Sequence, residues 1–436
     1  MWKSDRTTIA AAMIWLGLIA AGAATLKLPM MVAPGRSLSW FEALFTSVSA
    51  VCMVGLTLRD PAGFSVPGHT VITGLVQAGA MLTMVIGSLL VLRILAWFYG
   101  RRGPDPARLV GFLLLLTVVV EAAGTLFLLP LWDGGMGRRI GRSLYYCIHA
   151  FCQGGFDLTG QDLVGLRYHV AVHGVIGSLA VLGGLGGPAL YELVGRLLRR
   201  RRCLGTYVHW VLGSLACLYL CGVAAVATSQ VLPYFHDELQ QGITGHAQRP
   251  GPLTVQQMGG ILADASFLSI SCRSAGFHTL AMDQVEPGAR IAMMVLMSIG
   301  GATGSMAGGV TVCALVLIVV GAMARWRGRT RSDRFDVLAG HASDLALCFV
   351  GFIIVASFAL SLSEPYPFGT IIFEIISAVS ATGLSLGITS DLTVFGKIVI
   401  LAAMLSGRLL PLIYLVRICR FTSGQLPQDV SDVSSR

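Results

Sequence analysis

The chain has 436 residues, 55% of them hydrophobic and only 12% charged, with a formal net charge of +9. A mean hydropathy of +0.75 excludes a soluble globular domain and reads as a polytopic membrane protein. The basic excess does not point to nucleic acid, because the arginines fall in blocks beside apolar segments, where they act as orientation signals.

In chain order, apolar stretches long enough to cross about 30 Å of hydrocarbon as helices lie near 8–30, 69–99, 107–131, 168–198, 204–232, 288–324, 341–362 and 392–420. The first follows Lys3 and Arg6 and has a cleavage-like Ala21-Gly22-Ala23. A retained span is preferred to a secretory leader, because its loss would leave the first repeat without its leading helix. The predicted fold class is all-α, a polytopic membrane protein with eight transmembrane helices and no stretch polar enough for an appended soluble domain.

Between the two spans of each pair lies a semi-apolar run, such as 40–50 or 368–378, too short to cross the bilayer. Each run leads into a glycine-bearing segment. Residues 49–56, 149–156, 270–277 and 377–384 align on Gly55, Gly155, Gly276 and Gly383, an internal repeat of span, re-entrant helix, glycine segment and span. The repeats are assigned to 1–100, 101–202, 203–334 and, with the tail, 335–436. Non-helical backbone at membrane depth is tolerated only where protein buries it or water lines it, so the four segments are expected to share one aqueous axis, a pseudo-fourfold pore.

Arg101, Arg102, Arg108, Arg196, Arg199, Arg200, Arg201, Arg202, Arg325, Arg327, Arg329, Arg331, Arg334, Arg417 and Arg420 mark the cytoplasmic side, which then holds both termini. The opposite face carries Asp60, Asp157, Asp162, Asp237, Glu238, Asp283, Glu286 and Glu364 beside Arg138, Arg139 and Arg142. These acids either concentrate cations at an outer mouth or are solvated loop charges.

A dehydrated cation needs a shell of oxygens, and backbone carbonyls can supply one in conformations that a Cβ disfavours. The candidate ion selectivity filter is therefore Val54, Gly55, Gly154, Gly155, Ala275, Gly276, Thr382 and Gly383. A second run, Gly300, Gly301, Gly304, Ser305, Gly308 and Gly309, interrupts the sixth span. Each glycine disfavours helix by about 1 kcal/mol relative to alanine, so a break is expected unless the small residues serve close helix packing.

Arg408 lies roughly 14 Å before Arg417 on an ideal helix, too deep to reach the interface, so it faces either the carbonyls of the broken helix or the pore. Glu121 in the third span is either hydrogen-bonded between helices or part of an ion path. Arg273 reads as a brace for the third segment through carbonyl contacts, since an inward cation would repel a permeant ion. His149, Cys52, Cys152 and Cys272 share no coordination spacing and read as packing residues rather than a metal site. A thiol this close to the pore is expected to confer sensitivity to mercurials or silver. Cys217 and Cys221, four apart on one helical face, also read as packing residues.

These segments resemble the filter loops of the Trk/Ktr/HKT superfamily of potassium transporters. The resemblance is carried by residues 43–57, 273–277 and 377–387 and extends over about 39–420. It is nearest to the Ktr-type membrane (pore) subunit, because the extra amino-terminal helix pair of Trk-type subunits is not seen. It implies K+ as the permeant ion at the filter carbonyls, favoured by glycine in all four segments, with no bound cofactor. It also implies that 300–309 is a gate loop below the filter, and that Arg408 of Gly407-Arg408 is an electrostatic barrier beside the pore. Glu121 and Arg273 match family positions. The implied partners are membrane lipid, a second copy in a homodimer and a cytoplasmic nucleotide-binding regulatory ring, in a bacterial-type cytoplasmic (inner) membrane. Thr303 stands where the family has proline, Thr311 where it often has lysine, and 152–156 departs most among the filter segments.

The alternative is an ion- or proton-coupled secondary transporter of K+ or Na+, a type that has discontinuous helices in corresponding positions of two repeats. Only one clearly broken helix is expected here, which favours a pore. No nucleophile, acid–base pair or metal cluster stands out at one membrane depth, so no enzyme activity is expected.

Overall fold

The computed structural model describes residues 2–100, 104–158, 160, 163–198, 205–244, 254–273, 275–328 and 332–423. Of the orientation signals, Arg101, Arg102, Arg199, Arg200, Arg201, Arg202, Arg329 and Arg331 lie outside these residues, as does Asp162; so do the side chains of Lys3, Arg6, Asp237, Glu238 and Asp283. The described residues form helices and loops with no strand, only the isolated bridges Val32 to Phe64 and Ile299 to Val310.

The helices are α1 (Trp2–Leu26), α2 (Trp40–Val51), α3 (Val66–Tyr99), α4 (Pro106–Leu128), α5 (Met136–Phe151), α6 (Gly177–Gly184), α7 (Gly187–Leu197), α8 (Thr206–Thr244), α9 (Val255–Ser271), α10 (Pro287–Ser298), α11 (Val312–Trp326), α12 (Asp333–Ser363), α13 (Phe368–Val379) and α14 (Val394–Ser423). The short helices α2, α5, α9 and α13 each pack between two others: α1 and α3, α4 and α6, α8 and α10, α12 and α14. Their start points are written in the sequence. Ser39 and Glu42 form a reciprocal capping box on α2, and Thr254 and Gln257 do so on α9, which satisfies amide groups left open at a helix start.

Glycines allow the longer helices to approach the short ones. A Cβ at Gly79 of α3, Gly183 of α6 or Gly407 of α14 would collide with the carbonyl oxygen of Val51, Phe151 or Val379, the last residue of the neighbouring short helix.

Five helices are long and apolar enough by themselves to cross a membrane among the described residues, and Val172–Gly184 with Gly187–Leu197 makes a sixth, bent by 114°. The α4 residues Leu115, Val118, Leu126 and Phe127 are exposed, as suits a face turned to hydrocarbon.

The sequence reading expected one broken helix, and the structure corrects this to two. α10 and α11 are separated by 299–311, and the stretch expected as one span over 168–198 is bent between α6 and α7. The cause is Gly183-Gly184-Leu185-Gly186-Gly187-Pro188: Gly186 has φ +80°, open to glycine and strained for other residues, and Pro188 has no amide hydrogen to continue a helix.

Candidate functional site

The four short helices end alike. The amides of Cys52, Cys152, Cys272 and Ser380 donate to the carbonyls four residues back, each at 2.8 Å, and the chain then leaves the helix. Met53, Gln153 and Ala381 take positive φ (55°, 56° and 51°), followed two residues later by Gly55 (92°), Gly155 (61°) and Gly383 (84°); Gly276 has φ 75°. Alternation of positive and negative φ turns successive peptide planes to the same side.

The glycines meet in a closed cycle. A Cβ on Gly55 would stand 2.9 Å from the Gly154 carbonyl oxygen, and one on Gly155 would stand 3.3 Å from that of Ala275. One on Gly276 would collide with the Thr382 oxygen, and one on Gly383 with the Val54 oxygen. Each glycine therefore leaves room for the carbonyl that precedes the next glycine around the ring. All eight filter candidates, Val54, Gly55, Gly154, Gly155, Ala275, Gly276, Thr382 and Gly383, are brought together, and side chains behind the ring such as Phe156, Phe277 and Leu384 are buried.

Against the ring lies the loop that joins α10 to α11. A Cβ on Gly308 would collide with the carbonyl oxygen of Ser380, and one on Gly300 with that of Gly308, so the loop is folded on itself and pressed against the fourth glycine segment. The second break holds it: Ala302 N–H donates to Gly184 O (2.8 Å), Met306 N–H to Gly183 O (3.3 Å) and Gly187 N–H to Gly304 O (3.2 Å). Side chains add Ser88 Oγ to Gly304 O (3.3 Å) and Tyr207 Oη to Thr303 O (3.2 Å). Thr303 donates to Thr311 at 2.9 Å, and Thr311 caps α11 through Ala314 N–H.

Arg408 is buried, 3% exposed, and donates to three carbonyls: Nε to Cys52 (2.9 Å), Nη1 to Met306 (2.8 Å) and to Ala307 (3.1 Å). One guanidinium thus ties the first glycine segment to the loop, and of the two environments that the sequence left open for it, the hydrogen bonds shown include carbonyls of the broken helix. Arg408, Thr303, Gly304, Ser305 and Tyr207 line a largely apolar cavity of about 430 Å³ beside the loop.

Arg273 sends Nη1 to Leu215 O on α8 at 3.4 Å. Glu121 lies 3.8 Å from Cys152 Sγ, which also donates to Gln77 at 3.0 Å. His149 contacts Thr73 Oγ1 at 3.2 Å and stacks on Tyr145.

Each glycine segment continues into a stretch tied to an acid; the sequence reading named Asp157 only as a charge of the face opposite the arginine blocks and missed Glu42, Asp264 and Glu374. Glu42 pairs with Arg59 at 2.6 Å, and Asp157 accepts from Tyr146 Oη at 2.9 Å. Asp264 accepts from Thr279 Oγ1 at 3.2 Å and from Arg167 Nε at 2.8 Å. Glu374 accepts from Ser385 Oγ, Leu386 N–H and Thr389 Oγ1. An acid inside a short apolar helix, as in Phe373-Glu374-Ile375, was the available signal, since an ionisable group at such a place needs a dedicated partner.

The chain is similar along most of its length to known uptake proteins. It is 28% identical over 417 residues to the Potassium/sodium uptake protein NtpJ of Enterococcus hirae, covering 90% of this chain and 88% of that protein. It is 29% identical over 419 residues to the Ktr system potassium uptake protein B of Bacillus subtilis, again covering 90% and 88%. Its fold is similar to that of the potassium transporter TrkH from Vibrio parahaemolyticus, with a TM-score of 0.69, 17% identity, and coverage of 95% of this chain and 84% of that one. Residues 107–429 match the family described as TrkH, cation transport protein. The chain belongs to the TrkH cation transport protein family.

Proposed function

We propose that the protein takes up potassium ions across the cytoplasmic membrane through the ring of Val54, Gly154, Ala275 and Thr382 carbonyls, with the loop around 300–309 as the gate. The closed cycle, in which each glycine accommodates the neighbouring quarter's carbonyl, is the observation that carries this reading. Carbonyl dipoles arranged in a ring replace the hydration shell of a permeant cation, and the membrane potential supplies about 2.3 kcal/mol per charge per 100 mV. The similarity to proteins named for potassium uptake supports the choice of ion.

On this reading the chain is four repeats, 1–100, 101–202, 203–334 and 335–436, with eight spans: α1, α3, α4, the bent α6–α7 pair, α8, the interrupted α10–α11 pair, α12 and α14. Arg408 holds the gate loop closed and opposes a cation below the filter. Arg273 braces the third segment against α8. The termini face the cytoplasm, and a second copy and a cytoplasmic nucleotide-binding ring are the partners.

The second broken helix gives the coupled-transporter reading an observation in its favour, because α6–α7 and α10–α11 are interrupted in corresponding places. The two breaks interlock with each other beside the ring rather than framing a separate side-chain site, which favours a gate. Purified protein in potassium-loaded liposomes decides between them. Flux driven by an imposed voltage, with no proton or sodium gradient, is the expected outcome, and a strict requirement for such a gradient would defeat the pore.

A further inference from the structure

Each quarter of the ring continues outward into a segment that holds its glycine from above. In the first, second and third quarters an acid is met there by Arg59, by Tyr146, or by Arg167 together with Thr279. The fourth is built differently. Glu374, in the middle of α13 and fully buried, takes Ser385 Oγ (2.6 Å) and Leu386 N–H (2.7 Å) on Oε1 and Thr389 Oγ1 (2.8 Å) on Oε2. All three donors are neutral, and the first is two residues beyond Gly383.

We propose that Glu374 is a positioning residue for ion selectivity, which fixes the Thr382 and Gly383 peptides by clamping the chain just outside them. A buried carboxyl group is costly unless its oxygens are satisfied, and here both are taken up by donors from one short stretch, so the clamp needs acceptor oxygens at this place, which glutamine keeps in part and alanine removes. On the inner side this quarter is held through Thr382, whose N–H donates to Ser377 O at 3.0 Å and whose Oγ1 donates to Cys272 O at 3.4 Å. With the outer clamp gone, the Thr382 carbonyl can move in toward a smaller ion, and discrimination against sodium falls.

This inference rests on the reading that the ring conducts potassium, and the test separates the two. The full chain in liposomes is compared with Glu374→Ala, Glu374→Gln and Ser385→Ala by the K+/Na+ permeability ratio, taken from reversal potentials, with monodispersity in detergent as the check on folding. Glu374→Ala lowers the ratio by at least about 10-fold, and Glu374→Gln, which keeps an acceptor for Ser385 and Leu386, stays within about 3-fold of the parent. Ser385→Ala falls between them. A merely structural role would reduce the flux of both ions together and leave the ratio unmoved, so an unchanged ratio in folded Glu374→Ala overturns the proposal. Should that variant fail to fold, an unchanged ratio in Ser385→Ala does the same. Absence of potassium flux in the parent protein would instead overturn the conduction reading.

Discussion

The ring and the loop against it are both built from glycine, but they are held in different ways. In the ring, four segments of unlike sequence adopt related backbones because each glycine leaves space for the next segment's carbonyl. In the loop, Gly300 and Gly308 also leave room for carbonyls, but its position depends besides on contacts that occur once among the described residues: Arg408, Tyr207, Ser88 and the amides and carbonyls around Gly183, Gly184 and Gly187. Backbone closure by four mutually supporting quarters leaves little freedom to move. A set of single hooks can be released one at a time, which is what a gate requires.

The contrast predicts that damage to the ring is severe and alters ion choice, while damage to a hook is graded and alters conduction alone. The largest effect is expected from Gly276→Ala, whose Cβ would collide with the Thr382 oxygen at φ +75°. Potassium flux in liposomes falls by at least about 100-fold, since strain at such a position and overpacking each cost about 1–3 kcal/mol.

Next is Arg408→Gln, which removes a charged donor from the Cys52, Met306 and Ala307 carbonyls. Potassium flux rises by about 10-fold with the K+/Na+ ratio unchanged, because hydrogen bonds from a charged group are worth about 1.5–3 kcal/mol each and part of that holds the loop. Reduced flux in a folded Arg408→Gln protein would remove the arginine from the gate.

The smallest effect belongs to the periphery. Arg59→Gln breaks a partly exposed pair with Glu42, worth at most about 1 kcal/mol, so flux changes by less than about 5-fold. Burial alone raises the Glu42 carboxyl, but hydrogen bonds from Ser39 and Arg59 outweigh it and hold it below its ordinary value. The stabilisation from this lowered value is therefore complete at neutral pH and is lost as pH falls through it, so flux should decline down an acid series.

The ring was legible in the sequence because its physics admits few substitutes: only glycine combines positive φ with the absence of a Cβ, so Gly55, Gly155, Gly276 and Gly383 stand out in register. Arg408 was legible as a buried charge, and the broken helix's carbonyls, offered in the sequence as one partner, are met at Met306 and Ala307; the Cys52 carbonyl, 356 residues away, was not legible. The break between α6 and α7 was written as two glycine pairs and a proline, yet the apolarity of the stretch favoured one continuous span. Glu374 was passed over because its three donors lie in the loop after the filter, 11 to 15 residues on, and no helical spacing connects them.

The central claim is that the four glycines form one selective ring, and Gly383→Ser tests it most directly. Its side chain would enter the space that the Val54 carbonyl oxygen occupies, at φ +84°. Measured in parallel with the parent protein in the same liposomes, the K+/Na+ permeability ratio should fall by about 10-fold or more, with sodium flux rising relative to potassium. A folded Gly383→Ser protein with the parent's ratio would mean that Gly383 is not part of the filter.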